Sequence, residues 1–124
     1  MRHFDINIVN QLIRSRRSLY PQTFNDEVIP QDIISTILEN ANWAPTHRLT
    51  EPWRFNVFHG NGLQKLADFQ SACYKKHTPE DAFKQHKYEG LQTKPLQCSH
   101  VISISMHRQD SGKIPEIEEI EATA

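Results

Sequence analysis

Residues 30–58, PQDIISTILENANWAPTHRLTEPWRFNVF, predict a helix, a polar loop and a strand in direct succession. Pro30 suits the start of a helix, and the apolar side chains after it recur at helical spacing. These side chains are Ile33, Ile34, Ile37, Leu38 and Ala41. Pro45 ends the helix because proline cannot extend the hydrogen-bond ladder. Residues 53–58 then alternate between apolar and polar side chains, which predicts a strand.

Further elements are predicted on both sides of this stretch. Asp5 suits the N-cap of a first helix, whose apolar face would be Ile8, Val9, Leu12 and Ile13. A third helix, capped by Asn61, would turn Leu63, Leu66, Ala67 and Phe69 inward. The remaining predicted elements are a polar helix at residues 78–89, a strand at 101–106 and a helix start at 114–121. This order is typical of mixed α and β layers.

Size and composition restrict the class of protein. The 124 residues fit one domain, with 37% hydrophobic and 23% charged residues. A formal net charge of −1 argues against nucleic-acid binding. No secretory signal or membrane-length apolar stretch is present, so we expect a cytoplasmic protein whose two cysteines are reduced. Two strands are too few for an independent sheet, and the last helix stops without a capping device. We therefore expect residues 1–124 to be a single domain that is incomplete at its C-terminus.

The sequence Arg16-Arg17-Ser18 is the first candidate binding site. Two guanidinium groups and a hydroxyl at the exit of a helix suit an anionic ligand group such as a phosphate, which arginine can bind through two hydrogen bonds. The alternative is that both arginines only complement the dipole of the helix C-terminus. The residues themselves leave both interpretations open.

The polar stretch 44–55 is the second candidate, because it places His47 between two prolines on a loop held by rigid elements. Trp43, directly before it, could stack on a planar ligand or cover the core. The alternative is a polar loop with Trp53 in the core. No Walker loop, G-x-G-x-x-G motif or metal-ligand cluster accompanies these residues.

The order of these motifs closely resembles the nitroreductase family. The segments that carry the resemblance are Arg16-Arg17-Ser18-x-Tyr20-Pro21, Ile29-Pro30, Glu39-Asn-Ala41-Asn-Trp43-Ala-Pro45-Thr-His47, Glu51-Pro52-Trp53-Arg54-Phe55, Ser99-His100-Val101-Ile102 and Lys113-Ile-Pro115-Glu116. They look most like the shorter, single-domain NAD(P)H nitroreductases, and they cover almost the whole chain. Each segment is weakly specific alone, but the combination is specific.

The resemblance implies an α+β fold with a central mixed sheet flanked by helices, here truncated. It implies a homodimer with FMN sites shared between subunits. Arg16, Arg17 and Ser18 would bind the flavin from one subunit, with Tyr20 beside them, while Trp43 and His47 would approach it from the other. Tyr20 stands where many relatives carry a basic residue that would be a third cationic contact to FMN, and Leu49 replaces an asparagine that is common in the stretch after the second helix.

The implied activity is hydride transfer from NAD(P)H through the flavin to a nitroaromatic, quinone or similar acceptor. The cofactor carries the chemistry, so no catalytic acid or base is expected among the side chains. Because the family's later segments are missing, we expect this chain by itself to be weak or inactive. One alternative keeps the fold but makes the protein a flavin-binding or flavin-processing relative without nitroreductase turnover. Another is a non-catalytic α/β interaction module, for which replacing Arg16 and Arg17 would be neutral.

Overall fold

The computed structural model describes residues 4–124, so the first three residues of the predicted domain lie outside it. Its helices and strands are α1 (Ile6–Ser15), α2 (Gln31–Ala41), β1 (Trp53–His59), α3 (Asn61–His77), α4 (Gln85–Thr93), β2 (His100–Met106) and α5 (Glu116–Thr123). Short 3-10 turns lie at Pro21–Thr23, His47–Leu49, Glu80–Ala82 and Lys94–Gln97. No helix between residues 4 and 124 combines the length and apolar character that a membrane span requires.

The two strands pair in antiparallel orientation, from Trp53 opposite Met106 to His59 opposite His100. The His107 amide donates to the Pro52 carbonyl at 2.7 Å and extends the ladder by one bond. The mixture of helices with a separate antiparallel pair confirms the predicted α+β class. The mixed sheet that the resemblance implies would need parallel neighbours as well, and the two strands of residues 4–124 provide none.

The core lies where α3 packs on β1 and α2 meets the start of the same strand. The buried apolar side chains are Ile34, Trp53, Leu63, Ala67 and Ile114. The Trp53 indole N–H donates to Asn42 Oδ1 at 2.9 Å, so the end of α2 is fixed to the start of β1. This bond satisfies the polar atom of an otherwise buried indole.

Two details of the predicted α3 are wrong. Gly60, with φ 49°, is the residue before the helix, and Asn61 is its first residue instead of its cap. Phe69 is 70% exposed, although the pattern placed it inward. The buried residues of α3 are Leu63, Ala67 and Ser71, spaced four apart. Phe69 lies two residues from Ala67, which turns it through about 200° to the opposite face.

The predicted helix at 78–89 begins later than the sequence suggested. The Thr78 amide still bonds to the Tyr74 carbonyl, so α3 ends there, and only one 3-10 turn follows. The Lys84 amide then donates to the Tyr74 hydroxyl at 3.0 Å, and α4 starts at Gln85. The chain is therefore anchored to α3 before α4 begins.

Helix α1 is correctly predicted in its bounds and its cap, since Asp5 accepts from the Asn7 amide at 2.8 Å. Its apolar face, however, is not covered within residues 4–124. No residue of α1 is buried, and Ile8, Leu12 and Ile13 are each about two thirds exposed. The pattern predicted an amphipathic helix correctly but did not identify what it packs against.

Candidate functional site

The arginine pair lies where α1 ends. Arg16 leaves the helical conformation with ψ 131°, and Arg17 turns back to donate from Nη1 to the carbonyls of Arg14 and Arg16, both at 2.8 Å. Arg16 Nη1 lies 3.4 Å from the Ser18 hydroxyl. All three residues are exposed. Arg17 thus satisfies carbonyls at the helix end, as the alternative interpretation expected, and both arginines remain exposed to solvent.

Downstream of Ser18 the chain borders a cavity of about 580 Å³. It is lined by Leu19, Phe24 and Ile33 from the segment around the start of α2, and by Ser99 and His100 at the start of β2. The Ile29 amide donates to the Ser99 hydroxyl at 2.8 Å, which joins the segment before α2 to the start of β2. Burial raises the pKa of the Cys98 thiol in the same wall. Tyr20 is 67% exposed.

Trp43 and His47 lie at the other end of α2. The Trp43 side chain is 83% exposed, in contrast to the buried Trp53. Trp43 follows Asn42, whose side chain accepts from Trp53, so its backbone is attached to the core through its neighbour. The result is a large, exposed aromatic surface on a fixed helix end. This is the arrangement that the stacking interpretation of Trp43 requires, whereas the core interpretation does not apply to it.

The connector, residues 44–52, joins α2 to β1 and has an unusual backbone. Arg48, Leu49 and Glu51 have φ of 54°, 53° and 43°, a region that residues other than glycine rarely adopt. The Gln109 side chain donates to the Thr50 carbonyl at 3.2 Å, and Arg54 Nη1 donates to the Glu51 carbonyl at 2.9 Å. Contacts from outside the connector therefore support this conformation.

His47, the central residue of the connector, pairs with α5. Its Nδ1 contacts Glu118 Oε2, although 71 residues separate the two in sequence. The side chains remain 49% and 41% exposed. His47 is thus held from one side and accessible from the other. The sequence pattern points to His47 but not to its partner, because no spacing rule distinguishes Glu118 from the other acids of the same helix.

Glu119 is a second carboxylate of α5 that the sequence pattern does not distinguish. It is 1% exposed, its Oε1 accepts from the Gln109 amide at 3.2 Å, and Arg108 Nε lies 4.0 Å from its Oε2. Arg108 Nη1 also donates to Glu116 at 2.7 Å. These contacts satisfy a buried carboxylate and attach the loop after β2 to α5. The apolar residues of the same helix, Ile117 and Ile120, are 58% and 45% exposed.

Comparison with known proteins decides the family. The model of the nitroreductase family matches residues 13–124, which is nearly the whole chain. The chain belongs to the nitroreductase family. Its fold agrees, since the crystal structure of a nitroreductase-like family protein from Bacillus cereus superposes with a TM-score of 0.71 at 28% identity. The match covers 99% of this chain and 60% of that one.

Two curated relatives support the same nitroreductase assignment. The chain is 40% identical over 75 residues to the Bacillus subtilis (strain 168) protein named NAD(P)H nitroreductase YfhC, which is 60% of this chain and 38% of that protein. It is 28% identical over 80 residues to the chloronitrobenzene nitroreductase of Comamonas testosteroni, which is 64% of this chain and 34% of that protein. The chain thus matches little more than a third of each of these relatives.

The six residues predicted to bind a flavin form two separate groups. Arg16, Arg17, Ser18 and Tyr20 follow α1, whereas Trp43 and His47 lie at the end of α2 and in the connector. Among residues 4–124, no hydrogen bond or ion pair joins a residue of one group to a residue of the other. A flavin site built from both groups stays a prediction, and two subunits would be one way to assemble it.

Proposed function

We propose that this protein is an FMN-dependent oxidoreductase that uses NAD(P)H to reduce nitroaromatic, quinone or similar acceptors. The observation that carries the proposal is the family match over residues 13–124. The names of the two relatives support the choice of co-substrate and of acceptor, since one includes NAD(P)H and the other chloronitrobenzene. The proposal concerns the whole protein, because this chain matches only 38% and 34% of the lengths of the two relatives.

The exposed groups fit FMN. The phosphate of FMN is a dianion, and Arg16 and Arg17 present two exposed guanidinium groups next to the Ser18 hydroxyl. The isoalloxazine ring is planar and largely apolar, and Trp43 offers an exposed aromatic face of matching chemistry. Arg16, Arg17 and Ser18 would bind the phosphate and pyrimidine edge, with Tyr20 beside them, and Trp43 and His47 would contact the ring.

Bound FMN would supply the redox chemistry, by taking a hydride from NAD(P)H and passing electrons to the acceptor. The residues of this chain would bind and orient the cofactor. The arginines would neutralise the phosphate charge. Removing an unpaired charge from water costs free energy, and the guanidinium groups would offset that cost. Trp43 would exclude water from one side of the ring. His47, held by Glu118, would offer its other ring nitrogen to the ligand.

We also propose that the protein acts as a homodimer. The uncovered face of α1 provides the area for this contact, because Ile6, Ile8, Leu12 and Ile13 are each at least 65% exposed. Contiguous apolar patches of this kind are typical of interaction surfaces. The arginine pair directly follows that face, so pairing through α1 would place Arg16 and Arg17 beside the partner. Sites shared between subunits would follow from that placement.

A pair of titrations tests the cofactor proposal. FMN and riboflavin differ only in the phosphate, so we expect FMN to bind more tightly to the purified chain. The double variant Arg16→Ala, Arg17→Ala should lose that preference, at about 1.5–3 kcal/mol for each charged hydrogen bond removed. The variant Lys75→Ala, Lys76→Ala is the matched control, since it removes two exposed cations at the end of α3.

The outcomes separate the candidate functions. Equal binding of FMN and riboflavin would keep a flavin site but remove the phosphate role from the arginines. Binding of neither by a folded chain would contradict a flavin site within these 124 residues. Oxidation of NAD(P)H with an added nitroaromatic distinguishes a reductase from a flavin-binding relative without turnover.

A further inference from the structure

The contact between His47 and Glu118 joins a segment that carries a predicted flavin-binding residue to a segment that carries none. His47 lies in the connector, and Glu118 lies on α5, which no predicted flavin residue occupies. Both side chains are about half exposed, so neither is held by burial. The direction of the His47 ring therefore depends on this hydrogen bond more than on packing.

The connector needs an external support of this kind. Three of its residues, Arg48, Leu49 and Glu51, have left-handed backbone angles that cost free energy for any side chain with a Cβ. Its supports from the C-terminal side are the bond from Gln109 to the Thr50 carbonyl and the bond between His47 and Glu118. Both supports come from the chain after β2.

Glu118 is presented by a helix that is itself fixed. The next residue, Glu119, is buried and bonded to the Gln109 amide, and Arg108 bridges Glu116 and Glu119. Gln109 is thus bonded to both α5 and the connector. As a result, Glu118 reaches His47 from a position that the neighbouring contacts define.

The chemistry of the pair selects one form of the imidazole. An ionised carboxylate only accepts hydrogen bonds, so Nδ1 must carry the proton that is shared with Glu118. In the neutral ring, Nε2 is then the acceptor, and it is the nitrogen left for a ligand. Within residues 4–124 the hydrogen-bond partner of Nδ1 is Glu118, so without this carboxylate no hydrogen bond from the described residues would favour the Nδ1–H tautomer.

We infer that Glu118 is a positioning residue, which holds His47 in the Nδ1–H tautomer and keeps Nε2 available as a hydrogen-bond acceptor at the flavin site. The second half of this inference rests on the proposed function, because it takes His47 to contact FMN. The first half concerns the free chain alone. A ligand group that meets His47 would therefore have to be a hydrogen-bond donor when the ring is neutral.

Nitrogen-15 NMR of the His47 ring tests the first half without any flavin. At alkaline pH, where imidazole rings are neutral, we expect the Nδ1–H pattern of shifts in the unmodified chain. Glu118→Ala should change His47 to mostly Nε2–H, and Glu118→Gln should give a mixture, because an amide can either donate or accept. Glu121→Gln, on the exposed side of the same helix, should leave the tautomer unchanged.

An Nε2–H tautomer in the unmodified chain, or an Nδ1–H tautomer that survives Glu118→Ala, would overturn the inference. FMN titration tests the second half. Loss of one oriented hydrogen bond predicts about three- to tenfold weaker binding for Glu118→Ala and no change for Glu121→Gln. If the tautomer changes as expected but FMN affinity does not, Glu118 positions His47 and His47 is not a flavin contact. If even the unmodified chain binds no FMN, the NMR result still decides the role of Glu118.

Discussion

Helices α1 and α3 are both amphipathic, but the structure covers only one of them. The 17 residues of α3 include three buried ones, and Ala67 is entirely inaccessible. The 10 residues of α1 include none, although its apolar and polar residues are divided more sharply between two faces than those of α3. Helix α3 packs on β1, which pairs with β2, whereas within residues 4–124 α1 makes no comparably extensive contact with either strand.

This difference shows what an amphipathic pattern does and does not specify. The spacing of apolar residues determines which face of a helix avoids water, but the covering partner depends on the rest of the fold. For α3 the partner is β1 of the antiparallel strand pair within the same chain. For α1, residues 4–124 provide no such partner. In the homodimer that we propose, the second subunit would cover this face.

A matched pair of leucine truncations gives the largest expected difference. Leu63, on α3, is 7% exposed, and Leu12, on α1, is 71% exposed. Leu63→Ala should lower the free energy of unfolding by about 2–4 kcal/mol, because it removes buried methyl groups and leaves a cavity. Leu12→Ala should change it by less than about 0.5 kcal/mol in the monomer. Urea unfolding followed by circular dichroism measures both.

Equal losses of stability in the two variants would contradict the difference in burial between α1 and α3. Equal losses at low protein concentration would mean that α1 is covered within the monomer. A loss for Leu12→Ala that grows with protein concentration would instead mean that α1 is covered by association, since dimer stability depends on concentration.

The sequence predicted the elements better than the contacts between them. The bounds of α1, the Asp5 cap and the strands β1 and β2 follow from local spacing and capping chemistry, which act within a few residues. The pairing of His47 with Glu118 joins residues 71 apart, so no local rule could predict it. The left-handed angles of Arg48 and Leu49 were equally inaccessible, since neither residue type favours them.

The same limit of local sequence rules applies to the predicted site residues. Their predicted roles depend on resemblance to the family, because a phosphate or flavin site is assembled from segments that lie far apart in sequence. The structure adds that Trp43 is exposed while Trp53 is buried, a distinction that the sequence left open. It also adds Glu119, a buried carboxylate that an acidic helix start would place in solvent.

Polar substitutions on α1 should abolish self-association without unfolding the chain. Ile8→Gln with Leu12→Gln introduces two polar groups into the uncovered face, whose burial at an interface would leave them without partners. We expect sedimentation to show a dimer for the unmodified chain and a monomer for the variant, with equal helix content. Phe69→Gln, which changes an equally exposed apolar residue of α3, is the control. A monomer for all three proteins would contradict the homodimer proposal.

A smaller effect is expected at the start of α1. Asp5 accepts from the Asn7 amide, and loss of an N-cap acceptor costs about 1 kcal/mol. Because α1 buries no residue, this loss should appear as local opening and not as global unfolding. Asp5→Ala should therefore accelerate amide hydrogen exchange in the first turn of α1 about fivefold, whereas Asp5→Asn retains an acceptor and should not. Unchanged exchange for Asp5→Ala would mean that tertiary contacts hold this turn.

The two free cysteines also differ in how far they are covered by the fold. Cys73 lies on the exposed side of α3, whereas Cys98 lines the cavity near α2, where burial raises the pKa of its thiol. A raised pKa means a smaller thiolate fraction at a given pH, and the thiolate is the form that reacts with iodoacetamide. At pH 8.5 the Cys73→Ser variant, which keeps only Cys98, should therefore be alkylated more slowly than Cys98→Ser. The difference should narrow as the pH rises through the pKa of Cys98, and it should vanish in urea. Equal rates in the folded chain would contradict this prediction, because they would show that the cavity wall does not make the Cys98 thiol less reactive than the Cys73 thiol.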